Sequence, residues 1–448
     1  MQALYFGDAV GNERLYLHGE GVVPPVREAV RQVEPNRLPD RLVEEVITIA
    51  CKAGDIRGLI TQLELRLRLL QDGIQPWHLW MEAGAGSTPI GAPLLGGRLE
   101  LLGGGTADRL RGFQGLRLRL VRRDWLAEIP DSVPLQNAHG VDVVDGLTVF
   151  NHADSGSGHV NFCDVKGNQI LGSQPQPVRL ILEVGGPAIR RLGKIVVSGG
   201  IDLWNEAGSF DHVLEGESAS AGAGCSATSA VPSSSASNGI YQTFQWSVVT
   251  ECAVLRWTIS NERLAWLAGR GLHPVARFQT APPANTRWRW RLLAADGSTQ
   301  LDQSALVLLD SASQLQVLPA FFPPTPGSTA PYQACVLEAW LECTTAGVKQ
   351  IGLDFVQLFP LENFAIFQPV GGIDENHNLV MDWTSGECFS EAEADGAKLV
   401  THLVSGSAIA LYPQRNHRIY LLYETDTGFA ISDIVRLRVE AGARWLNL

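Results

Sequence analysis

The sequence predicts a mainly β protein in three parts: an α+β N-terminal domain over residues 1–130, a central β-sandwich over 145–360 and a small C-terminal β-sandwich over 361–448. Three observations lead there. Short apolar runs with two-residue alternation recur along the chain, separated by Gly, Asn, Ser and Pro clusters. A single stretch, from Ile56 to Leu70, spaces its apolar residues for a long helix. The 448 residues, at a prior of about 150 per domain, make room for roughly three cores.

In the N-terminal part, Ile47, Ile49 and Cys51 share one face of a β-branched run and predict a strand over 43–51. A helix follows, with Asp55 as its N-terminal cap, Ile56, Leu59, Ile60, Leu63, Leu67 and Leu70 on one stripe, and Gly73 at its end. The stretch Leu63 to Leu69 also alternates like a strand, and the two end signals decide for helix. Beyond Pro76 the pattern turns to strands at Trp77–Met81, Arg98–Leu102 and Leu116–Leu120, the last with leucines facing a core and arginines facing out.

The central part predicts strands at Pro177–Val184, Lys194–Val197, Gln242–Val249, Ala253–Ile259, Val275–Thr280, Arg287–Leu293, Ala305–Leu309, Cys335–Cys343 and Ile351–Phe359, with one short helix near 261–268. Residues 215–239 are too poor in large apolar groups to pack and are expected to form a mobile loop. The last part predicts hairpin strands at Leu379–Trp383, Lys398–Leu403, Arg418–Glu424 and Ile431–Val439.

Composition narrows the function. No apolar run approaches the ~20 residues of a membrane span. The net charge of −12 argues against readout of nucleic acid, whose affinity comes from clustered cations. The acidic excess lies after residue 130, and the first 130 residues are balanced. Seven cysteines at wide spacings, without a Cys-x-x-Cys pair, fit reduced thiols. The first residues lack the basic start and apolar stretch of a secretory signal, so the product is expected to stay in the cytoplasm where it is made.

No catalytic set, metal or cofactor is expected. The chain has no Gly-x-Ser-x-Gly elbow, His-Glu-x-x-His or Walker loop. Asp374, Asn376 and Asn378 begin like a calcium loop, but Leu379 and Ser385 stand where Gly and Glu are needed, so a polar turn is expected. His152, Asp154, His159 and Asp164 supply ligand atoms without a spacing that fixes a geometry, and a solvated loop is preferred. Two features invite a function. In the run from Arg287 to Arg291, Trp288 and Trp290 point one way and the arginines the other, with Trp246 nearby; the core reading competes with a platform on which sugar rings stack. The basic group Arg109, Arg111, Arg117, Arg119, Arg122 and Arg123 is the densest positive patch, and its last four residues are a candidate subunit interface.

The order of parts resembles a known family. A Pro/Arg-rich stretch at 35–41, a strand, the Leu-rich helix opened by Asp55-Ile56, and strands ending in QGLRLRL at 114–120 resemble the ring-forming domain of tailed-phage distal tail proteins. GSAIALYP at 406–413, NHRIY at 416–420 and the closing ARWLNL at 443–448 are similar to the end of such proteins. Residues 145–360 look like a jelly-roll carbohydrate-binding module, larger here than either flanking part. The resemblance implies a structural virion protein, assembled in the host cytoplasm into a hexameric ring at the tail tip or baseplate. Its partners would be its own copies, other tail proteins and host-surface saccharide. A capsid-decorating or fibre protein, and a glycan-active enzyme or its carbohydrate-binding accessory module, are the alternatives.

Overall fold

The computed structural model describes residues 3–446 apart from 9–10, 20–26, 39–41, 53–55, 83–86, 103–112, 124, 129, 137–141, 153–159, 185–190, 206–207, 210–211, 268–269, 324–333, 370, 375, 393, 395, 403, 427 and 430–433. The fold is mainly β, built from antiparallel sheets with few helices. It divides into two compact units: residues 1–131 with 170–178 and 440–448, and residues 132–169 with 179–439.

The first unit is a nine-stranded sheet. Its strands run in the order Leu15–Gly19, Ala3–Gly7, His78–Glu82, Ile90–Leu102, Phe113–Arg123, Leu42–Lys52, Arg27–Leu38. Trp125–Glu128 pairs with the start of Ile90–Leu102, and the strand Arg444–Leu446 pairs with Trp125–Glu128, so strands from early and late in the sequence share this sheet. The helix Ile56–Gln71 covers one face. Leu59, Leu63 and Leu67 are buried at four-residue spacing while Leu65 is 55% exposed, which settles helix against strand. Gly73, at φ +66°, ends the helix in the left-handed conformation that only glycine adopts without strain. The cap expected at Asp55 lies outside the described residues. A Cβ at Gly97 would stand 2.9 Å from Leu67 Cδ2 and 2.8 Å from Leu120 Cδ2, so the bare glycine lets the helix seat on the sheet.

His78 is buried in this unit and stacks on Trp80 with ring centroids 5.5 Å apart. Burial, aided by the Arg444 charge, pushes its pKa from 6.5 down to about 4. Between those values the unfolded chain binds a proton that the folded chain refuses, so stability is lost as pH falls from 6.5 to 4, by up to about 3 kcal/mol. His78→Leu is expected to flatten the unfolding free energy of the first unit across that window; an unchanged slope would show that His78 does not carry it.

In the second unit, the sequence-predicted boundaries at 145 and 361 do not follow the strand pairing. Strands from 135–201 and from 363–439 interleave in two shared sheets. In one, His417–Thr425 lies between Phe162–Val165 and Arg191–Ile201, and Asn363–Phe367 lies beside Arg191–Ile201. In the other, Arg179–Val184 pairs with His377–Asp382, which turns at Gly386 into Glu387–Ala392. These two sheets form a frame, and the C-terminal stretch completes it instead of standing alone.

Residues 213–360 are an insert in that frame, beginning and ending beside neighbouring strands, since Gly199 pairs with Asn363. Two six-stranded sheets make it. One has the order Ala227–Pro232, Ile240–Trp246, Lys349–Pro360, Leu272–Phe278, Leu315–Val317, with Val213–Glu215 also on Lys349–Pro360; the other has Ser220–Ala221, Cys252–Ile259, Cys335–Cys343, Thr286–Leu293, Gln300–Gln303, with Val307–Leu308 also on Thr286–Leu293. One hydrophobic core runs through insert and frame alike, including Phe244, Phe355 and Phe359 of the insert and Phe162, Tyr420 and Leu422 of the frame. Polar bonds fix the joint: the Asn161 and Gln357 amides donate to one another at 2.6 and 3.0 Å, and Ser198 donates to the Pro360 carbonyl at 2.7 Å. Buried amides paired in this way hold one relative placement, because any other leaves polar groups unsatisfied.

The stretch 215–239 is not the loop expected of it. It contains the edge strands Ser220–Ala221 and Ala227–Pro232, the second largely exposed. Small residues do not bury enough to drive folding, but an edge strand needs only backbone partners, and Ile240–Trp246 supplies them. Carboxylates tie down the rest: Ser237 donates from its amide to Asp354 at 3.0 Å and from its hydroxyl to Glu215 at 2.8 Å.

Candidate functional site

The alternation in Phe113–Arg123 has the predicted consequence for the sheet of the first unit. Leu116, Leu118 and Leu120 are buried under the helix, and Arg117 and Arg119 stand on the opposite face. Register places Glu100 across from Arg117, and Arg98 across from Arg119. Glu100 pairs with Arg98 at 3.2 Å, Arg119 at 3.3 Å and Arg117 at 3.9 Å, and Arg119 reaches Glu44 at 3.2 Å. The result is a ladder of mixed charge across three strands, three arginines held around two glutamates, partly exposed, with Arg98 68% exposed at its side chain. Each such pair in water contributes roughly 0–1 kcal/mol, so the ladder does little for folding. Charge laid out in fixed register is suited to selecting and orienting a partner surface.

Arg122 departs from the expected interface. A register shift between Leu94 and Gly96 accompanies this end of the sheet, and Arg122 is buried with Glu45, its Nε donating to the carboxylate at 2.5 Å. A guanidinium enclosed with its counter-ion is an internal strut and offers nothing to a neighbour. Arg123 is exposed at the strand end, and Arg109 and Arg111 lie outside the described residues. Glu44, Arg98 and Glu100 were missed from sequence because only strand register brings them beside Arg117 and Arg119.

The sugar-platform reading of Trp246, Trp288 and Trp290 is corrected by burial. All three are fully enclosed between the sheets of the insert. Trp288 and Trp290 meet edge to face at 5.1 Å, and Trp290 also touches Trp257 and Phe321. An enclosed ring has no face left for a sugar. The arginines of that strand do face out: Arg289 and Arg291 each lie 3.5 Å from Glu251, Arg287 lies 3.5 Å from Glu342, and the Arg291 guanidinium covers the Trp340 ring at 3.5 Å.

The remaining sequence candidates resolve into structural roles. Asp164 takes a bidentate bond from Arg418 at 2.7 and 2.8 Å, His152 is buried, and Asp154 and His159 lie outside the described residues. Asn376 adopts φ +64° and Asp374 pairs with Arg191, as in a polar turn. Among the described residues no three His, Cys, Asp or Glu side chains converge on a metal position, and no helix is long and apolar enough to cross a membrane.

No family model matches this chain, and no curated protein matches it. Among solved structures it is similar to the crystal structure of the SPP1 Dit (gp 19.1) protein, described as a paradigm of the hub adsorption apparatus in Gram-positive infecting phages. The identity is 9%, over 94% of this chain and 90% of that one, with a TM-score of 0.21. At that TM-score the likeness carries no argument about function.

Proposed function

We propose that this chain is a non-enzymatic structural subunit of a phage tail tip or baseplate, joining its own copies in a closed ring through the charged sheet face of the first unit. The observation that supports this reading is the half-exposed ladder of Glu44, Arg98, Glu100, Arg117 and Arg119. It carries both signs in fixed register, contributes little to folding and stands on the face that the helix leaves open. A ring repeats one heterologous contact, and a face carrying both signs can meet a complementary face of the next copy without accumulating charge. Six copies is the expected number, in a virion particle assembled in the host cytoplasm with other tail proteins. Contact with host saccharide falls in this reading to exposed residues of the second unit, not to its enclosed tryptophans.

Arg117→Glu with Arg119→Glu tests the face. Both side chains are partly solvated, so the variant is expected to fold like the parent by circular dichroism. It is expected to sediment as monomer at concentrations where the parent is a ring, self-association weakening at least tenfold. An undiminished ring would remove this face from the contact.

A further inference from the structure

A pair of thiols in the insert has no part in the assembly reading and stands independently of it. Cys252 opens the strand Cys252–Ile259 and is buried. Cys225 lies in the turn before Ala227–Pro232, partly exposed, its sulfur 3.3 Å from the Ala227 carbonyl oxygen. Backbone bonds press that turn onto the strand: Gly222 donates to Val254 at 2.9 Å, Gly224 donates to Ala253 at 2.7 Å, and Cys225 donates back to Gly222 at 3.0 Å. The approach is so close that a Cβ on Gly224 would lie 2.5 Å from Cys252 Cβ and 2.7 Å from its Sγ. Glycine is required there, and the next residue along is the second cysteine.

We propose that Cys225 and Cys252 are a dithiol modification site that closes to an intramolecular disulfide when it meets a small-molecule disulfide. Bridging needs Cα atoms about 4.4–6.8 Å apart, and Gly224, the residue next to Cys225, is packed directly against Cys252. The partly exposed Cys225 thiolate attacks the incoming disulfide and displaces one thiolate. Cys252 then attacks the Cys225 sulfur of the mixed disulfide and releases the second. Two electrons pass from the protein thiols to the reagent, and their two protons end on the two released thiols. Burial raises the Cys252 thiol pKa, the neighbouring Cys225 and Glu251 raise it further, and Lys349 opposes them. The bridge would clip the exposed edge segment at 222–232 to the strand beneath it, closing a chain loop and raising the unfolding midpoint of the second unit by about 5 °C.

The test is incubation of the native full-length protein with oxidised glutathione, followed by intact mass and peptide mapping. Loss of two hydrogens per chain, with a cross-linked peptide joining Cys225 to Cys252, is expected. Cys225→Ser is expected to abolish both, and Cys335→Ser to leave both intact. A mixed glutathione adduct that persists on Cys225 would overturn the proposal, as would recovery of both thiols free. Cys225→Ser alters only a partly exposed side chain, so the outcome does not depend on whether Cys252→Ser folds.

Discussion

Trp290→Ala is expected to destabilise the second unit by about 3–5 kcal/mol, read as a fall in the urea midpoint followed by near-ultraviolet circular dichroism. Trp290 is fully enclosed, meets Trp288, Trp257 and Phe321, and lies on a central strand between Cys335–Cys343 and Gln300–Gln303. Truncation leaves a void that the surrounding strands cannot close, because each is held by backbone ladders on its neighbours. The loss is a large fraction of the roughly 5–15 kcal/mol by which domains are stable. A variant as stable as the parent would place the ring at a surface and revive the sugar-platform reading.

The second large effect belongs to the buried ion pair Arg277–Asp354, at 3.0 Å with both side chains enclosed. Asp354 also accepts from the Ser237 amide, and Arg277 also donates to Gln279 and lies over the Phe429 ring. The pair thus ties the turn at 233–239 and the frame's Phe429 to the middle strands of the insert. Arg277→Met removes one partner and leaves a carboxylate in the interior, which costs about 3–5 kcal/mol near neutral pH. Burial already pushes the Asp354 pKa from 3.8 up to about 6, against the pull of Arg277 and of its bonds to Ser237. A raised carboxylate pKa means that the folded chain holds a proton the unfolded chain gives up. Stability from this group is therefore full at acid pH and is lost as pH rises through about 6. Without Arg277 the carboxylate protonates more readily still, so the stability gap between parent and Arg277→Met should shrink between pH 7.5 and pH 5. A gap independent of pH would show that the penalty is lost packing and not an uncompensated charge. Arg277→Met with Asp354→Leu should recover most of the loss.

What the sequence revealed followed the range of each signal. Cys335–Cys343 was legible to the residue, and Thr286–Leu293 within one residue, because every second residue of each run belongs to one buried face. The helix Ile56–Gln71 was legible from its leucine stripe and Gly73. Arg27–Leu38 was hidden by Pro35, which a continuous ladder would exclude. The structure accommodates it at a register shift between Val33 and Arg37, on an edge strand. The division into frame and insert was out of reach, since pairing between residues 162–201 and 363–425 is a long-range choice that no local pattern records. For the candidate sites the same distinction holds. Alternation correctly put Arg117 and Arg119 on the outer face and the tryptophans on the other, but whether a face is solvated or enclosed depends on what the rest of the chain lays over it.

In the proposed function this chain builds a closed ring from copies of itself. Multi-angle light scattering of the purified full-length protein at micromolar concentration, with negative-stain electron microscopy of the same peak, decides whether it does. The prediction is one species near six times the 48.5 kDa chain, seen as rings. A monodisperse monomer across that concentration range would contradict it.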